Sequence, residues 1–235
     1  MTTDFIATDA LDFTLKVEWL YSGLMHFAAP DAEPSLGGKL LYAGELGTTA
    51  RTLLVAANIA GAASLAATAD PAAQKQAVRD GVADFLVNSL DEALRILKNE
   101  IRKRETVAVC IAVAPAVVER EMQERGIVPD ILQPLEHEAI AEGNVLLAWS
   151  VAANPVKWLP KLDAIAFDSL EEAGASKIGA ARRWLRLAPR YLGRLGQGVR
   201  ALRCEADVAD EIKSRVREAV ERGVISVAVD VRLVP

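Results

Sequence analysis

The residues best suited to chemistry by type and spacing are Gly44, Gly47, Thr48 and Thr49, in the run Gly44-Glu45-Leu46-Gly47-Thr48-Thr49. The run follows a short apolar stretch, Lys39 to Ala43, and precedes a segment in which Leu53, Ala56, Ala57 and Ala60 recur at helical spacing. A strand, a glycine-bearing turn and a helix capped by Thr48 or Thr49 are therefore expected. Free backbone N–H groups and the positive end of the helix dipole at such a junction favour an anion, commonly a phosphate. The same pattern also describes an ordinary strand-to-helix junction. Its two glycines, three apart, fall short of G-x-G-x-x-G, whose second glycine lets a pyrophosphate approach the backbone.

Other reactive residue types are sparse. His137 and Glu138 open HEAIA, which begins like the zinc-binding H-E-x-x-H but has Ala141 where the second histidine belongs. No metal site is expected, and the one other histidine, His26, has no motif around it. Cys110 lies inside an apolar run and reads as core, and Cys204 reads as structural. Between Lys177 and Arg203 stand eight basic residues and no acid, a local charge of +8 that leaves −13 for the rest of the chain. Arg182, Arg186, Arg190 and Arg194 are spaced by four, with Pro189 expected to break or bend their helix. Such a stretch suits an anionic membrane surface, nucleic acid or an acidic partner. The favoured alternative pairs these arginines with acids of the same molecule or of a symmetry mate in a homo-oligomer.

The elements that must position these residues follow from composition and period. With 235 residues the chain can bury one large domain, or one domain with an appendage. Apolar residues are 51% and aromatics only 5%, so the core must be built from Ala, Val, Leu and Ile, as suits closely packed helices on a sheet. The net charge of −5 argues against nucleic-acid binding by the whole molecule. Two distant cysteines indicate no disulfide framework, the acidic N-terminus does not resemble a signal peptide, and no apolar run is long enough for a membrane span. A soluble, cytoplasmic protein is expected.

In order, residues 10 to 28 form a helix with Leu11, Leu15, Val17, Leu20, Leu24 and Phe27 on its apolar face, and the prolines of residues 29 to 38 mark a connection. After the central strand-turn-helix, Ala62 to Ala69 is apolar, and Asp70-Pro71 both ends it and starts a helix. Strands at Ala83–Val87, Thr106–Ala114 and Pro129–Leu132 alternate with helices over residues 90–105 and 117–125. This alternation predicts a doubly wound parallel sheet of the α/β class. Val145 to Ala152 suits a sixth strand. After a helical, basic stretch come a strand, a helix over Val208 to Arg222 and a strand from Val224 to Leu233, whose alternating Val227, Val229, Val231 and Leu233 predict one buried face. The expected organisation is an N-terminal helix and connection (1–35), a Rossmann-like domain (36–150), and a helical, basic segment with a C-terminal β-α-β appendage (151–235).

Four segments in this order, LGGKLLYAGELG, ANIAGAASL, NSLDEALRI and ERGIVPDIL, resemble the central dinucleotide-binding domain of urocanase (urocanate hydratase). The resemblance covers Leu36 to Leu132 and implies a Rossmann-like fold, a lyase family, and NAD as the cofactor. It places the cofactor on Gly44, Gly47, Thr48 and Thr49. The family's turn is close to Gly-Leu-Gly-Gly-Met-Gly-Gly, so the threonines here crowd a pyrophosphate path. Where the family has a glutamate for the ribose hydroxyls this chain has Thr68, and Asp70 is the nearby substitute. The family's catalytic cysteine and Tyr-Gly-Asn-Asn segment have no match here. The resemblance therefore implies a degenerate NAD or phosphate turn, no urocanate hydration by this chain alone, and action with a partner chain. The alternative is a non-catalytic scaffold using the arginine-rich surface.

Overall fold

A computed structural model of the chain describes residues 8–132, 143–174 and 178–234. They form two compact units, Trp19–His137, and Met1–Glu18 with Glu138–Pro235. His137, Glu138 and Lys177 lie outside the described residues.

The first unit is a five-stranded, wholly parallel sheet, as the alternation predicts. Its strands are β1 (Leu40–Glu45), β2 (Ala63–Ala67), β3 (Phe85–Val87), β4 (Val107–Ile111) and β5 (Ile131–Leu132), in the order β3-β4-β2-β1-β5. After α1 (Thr8–Met25), the connecting helices are α2 (Thr48–Ala60), α3 (Pro71–Arg79), α4 (Leu90–Lys103) and α5 (Pro115–Glu124). β1 and β2 are interior strands, so the central strand-turn-helix does sit in the middle of the sheet. Every residue of β2 and β4 is buried, which is why both read as unbroken apolar runs. On one face Leu40, Tyr42, Leu65 and Val109 pack against Leu94 and Leu97 of α4 and Val118 and Met122 of α5. α2 is buried from Thr52 through Ala60, which its alanine-rich sequence permits. α1, whose residues up to Glu18 belong to the other unit, buries Leu11, Val17, Leu20 and Leu24, but Phe27, expected on its apolar face, lies past the helix end and is 49% exposed.

Local chemistry fixes the boundaries. Asp70 caps α3, accepting from the Ala72 N–H at 2.9 Å, with Pro71 as the first helical residue. Ser89 caps α4, and Glu92 reaches back to the Asn88 N–H at 2.9 Å. Asp130 accepts from the Leu40 N–H at 2.7 Å and so ties the Pro-Asp turn to the start of β1. Gly37 lies so close to Arg104 that an added Cβ would sit 2.9 Å from its carbonyl oxygen.

The second unit is a three-stranded antiparallel sheet of β6 (Asn144–Val151), β7 (Val199–Glu205) and β8 (Val229–Val234), with β6 in the middle. Its helices are α6 (Pro155–Ala173), α7 (Ile178–Tyr191) and α8 (Ala206–Glu221). The strand expected at Val145–Ala152 is present, but in this sheet. Its apolar run signals burial on both faces, and a central antiparallel strand meets that demand as well as a parallel one. The C-terminal strand-helix-strand unit is also present, with β6 between its two strands. β8 departs from expectation: it starts at Val229, Leu233 is 46% exposed, and its buried residue is Asp230. As an edge strand it gains only partial cover for its apolar side. Pro189 does not break α7, which continues to Tyr191. No described helix is long and apolar enough to cross a membrane.

Candidate functional site

β1 ends in Gly44, whose φ of +69° suits glycine, and in the exposed Glu45. The chain then turns: the Leu46 N–H donates to the Ala67 carbonyl of β2 at 2.9 Å, and the Gly47 N–H to the Glu45 carbonyl at 2.7 Å. Gly47, not Thr48 or Thr49, is the N-cap of α2, and no side chain caps it. Both threonines are first-turn helical residues, exposed to solvent. The hydroxyl nearest by, that of Thr52, points back to the Thr49 carbonyl at 2.8 Å. Capping by threonine fails because the turn tightens one residue early, leaving both side chains within the helix. The first helical bond runs from the Arg51 N–H to the Gly47 carbonyl at 3.0 Å, so the N–H groups of Thr48, Thr49 and Ala50 precede the intrahelical ladder.

Beside this turn, β2 delivers Thr68 and Asp70. Thr68 is buried, and its hydroxyl accepts from the Asp70 N–H at 3.2 Å while its carbonyl accepts from Gln74 at 2.9 Å. It works as a fastener. Asp70 is exposed, but its Oδ1 is used by the cap on α3. The structure thus brings Gly44, Gly47, Thr48 and Thr49 into one turn and puts Asp70 on the loop after the neighbouring strand. Arg51, the basic side chain closest in sequence to the turn, pairs with Asp80, which Gln76 also holds. The one carboxylate within the turn, Glu45, opposes a phosphate.

Sequence reasoning missed a cavity. About 550 Å³ opens along β1 and β5, lined in part by Tyr42, Gly44, Glu119, Met122 and Gln123. It lies where the strand order reverses, between β1 and β5. The Tyr42 hydroxyl donates to Glu119 Oε1 at 3.1 Å. Burial above all, then the Glu119 and Glu45 carboxylates, holds the Tyr42 phenol well above its ordinary pKa. No local signal announced it, because Tyr42 and Glu119 stand 77 residues apart in the sequence.

The remaining candidates resolve simply. Burial pushes the Cys110 thiol up to about 11, and Cys204 to about 12, so neither supplies a thiolate near neutral pH. Among the described residues no cluster of three or more His, Cys, Asp or Glu could hold a metal. Of the arginines, Arg200 pairs with Asp163 at 3.1 Å, Arg203 with Glu18 at 3.0 Å, and Arg182 with Glu171.

The backbone of the turn gives an immediate test. Gly47 has an ordinary φ of −91° and open space around its Cβ position. Gly47→Asp should therefore add a cap and stabilise the chain by about 0.5–1 kcal/mol. Gly44→Ala should destabilise it by about 1 kcal/mol, because an L residue is strained there. Urea midpoints of the two variants check this, and the same sign for both would show the turn to be misassigned.

A parallel sheet flanked by helices, with its first turn feeding a helix N-terminus, defines a Rossmann-like α/β protein. The model of the urocanase Rossmann-like domain matches residues 17–138. The chain belongs to the urocanase family.

Proposed function

We propose that the chain is a urocanase-family Rossmann-like protein whose Gly44–Thr49 turn is a weakened NAD or phosphate site and that does not hydrate urocanate by itself. The observation that carries this reading is the turn: an open helix N-terminus without the family's glycines, flanked by Glu45 and by an Asp70 already used as a cap. Losing a charged acceptor for the ribose diol costs about 1.5–3 kcal/mol, or about one to two decades of affinity. A small anion fits the first-turn N–H groups better than the pyrophosphate of a dinucleotide does. The two cysteines support the second half of the proposal, since both are buried thiols with raised pKa. Chemistry on urocanate then needs residues beyond these 235, and a partner chain is the source proposed for them.

NAD titration followed by thermal shift, with urocanate turnover followed by loss of its ultraviolet absorbance, tests both halves. Weak or undetectable NAD binding and no turnover are expected. Stoichiometric NAD in the purified protein, tight binding abolished by Asp70→Ala, or turnover by the chain alone would overturn the reading.

A second reading, a scaffold acting through its arginine-rich surface, draws on Arg186, Arg190 and Arg194, which are exposed at four-residue intervals. Retention on heparin that is lost in the triple Arg→Gln variant would favour it.

A further inference from the structure

The cavity between β1 and β5 has a chemistry that the turn does not share. Its volume of about 550 Å³ falls within the range that encloses small organic ligands. Ala43, Met122, Ile127, Val128, Pro129 and Leu132 give it apolar walls, and Tyr42, Glu119 and Gln123 are the polar side chains that reach it. The phenol of Tyr42 occupies Glu119 Oε1 and so fixes the carboxylate, leaving Oε2 to accept from a ligand. Among the described residues no Lys, Arg or His lines the cavity. Glu45, next to the lining residue Gly44, adds a second negative charge whose field reaches Tyr42. An anion entering this space meets the Glu119 carboxylate and, among the described residues, no lining counter-charge, whereas a cation meets an oriented carboxylate at the edge of an apolar wall. The Met122 thioether and the apolar side chains around it suit a planar or aliphatic body.

We propose that this cavity binds a small organic cation, an amine whose ammonium group rests on Glu119 and whose apolar body lies against Met122, Ile127 and Leu132. The inference does not rest on phosphate binding at the turn, from which it differs in the sign of the ligand charge.

Tryptamine, tryptophol and indole-3-propionate share a ring and differ in the charge of the side chain. Each is titrated by calorimetry into the full chain, into Glu119→Gln and into Val128→Trp, with circular dichroism confirming the folds. Glu119→Gln keeps an acceptor for Tyr42 and removes the charge. Val128 is 79% exposed at the wall, so a tryptophan there narrows the cavity at little cost to the core. Tryptamine is expected to bind at least about tenfold more tightly than tryptophol, with indole-3-propionate weaker still. Glu119→Gln should bring tryptamine to the level of tryptophol, and Val128→Trp should weaken both. Equal binding of the carboxylate and the amine, an unchanged tryptamine affinity in Glu119→Gln, or no binding of any of the three up to millimolar concentration would overturn the proposal.

Discussion

Arg200→Met will cost the unit built on β6, β7 and β8 about 3 kcal/mol at neutral pH, and far less near pH 4. Arg200 Nε lies 3.1 Å from Asp163 Oδ2, and Trp149 Nε1 donates to Oδ1 of the same carboxylate at 3.0 Å. Both charged side chains are mostly buried, at 12% and 14% exposed. Removing one partner leaves a carboxylate in a site where its charge is poorly solvated. Even with Arg200 present, burial raises the Asp163 pKa, outweighing the arginine and the indole that lower it. The folded state therefore holds a proton more readily than the unfolded chain, and this group's contribution to stability falls as pH rises from the ordinary aspartate range through the raised value. Without Arg200 the folded value climbs further and the window widens upward. The deficit of the variant is then largest where Asp163 is charged and shrinks as acid neutralises it. Urea denaturation followed by tryptophan fluorescence at several pH values reads this, because Trp149, Trp158 and Trp184 all belong to this unit. A deficit that is the same at pH 4 and pH 7 would mean that the loss comes from packing and not from the charge on Asp163.

Leu65→Ala will destabilise the parallel sheet by about 3 kcal/mol. Leu65 is fully buried on β2, an interior strand flanked by β1 and β4, and it belongs to the cluster shared with Tyr42, Leu97 and Val109. Its cluster is held by paired strands and by α4 and α5, so the gap cannot close by local collapse. The amides of β2 should lose protection from hydrogen exchange first, and with them the bond from the Leu46 N–H to Ala67 that anchors the turn. A loss under about 1 kcal/mol would show that the surrounding helices relax into the space.

The parallel sheet was legible because its interior strands are buried on both faces and must read as β-branched or small apolar runs between capped helices. Asp70-Pro71 announced a helix start by chemistry that acts within a few residues. The segments that carry the family resemblance prove to be largely structural. Gly37 makes room for Arg104, Ser89 and Glu92 cap a helix, and Asp130 holds Leu40. What stayed illegible depends on distant partners. The sequence of β6 demands burial without saying in which sheet. The strand at Val229–Val234 alternates correctly, but its place at an edge leaves Leu233 exposed. The capping role of Gly47 turns on one backbone angle, and the cavity exists only because β5 returns beside β1 and brings the loop of Ile127–Pro129 opposite Tyr42 and α5. The arginines of 177–203 read as one basic block, whereas three of them meet acids from α1 and α6.

The pairing of Glu18 with Arg203, 185 residues apart, bears on how the chain is made. Residues 19–137 form a continuous stretch with its own sheet, so that unit has all its strands once synthesis has passed Leu132. The other unit draws on both sides of that stretch. Its early segment, carrying Glu18 and Leu11, emerges from the ribosome long before β6 exists, and β6 must still wait for β7 and then β8 before both its edges are paired. Vectorial synthesis therefore favours an order in which the inserted parallel unit closes first and the interrupted one is completed after translation of its last strand, the slowest contacts being those with the longest intervening loop.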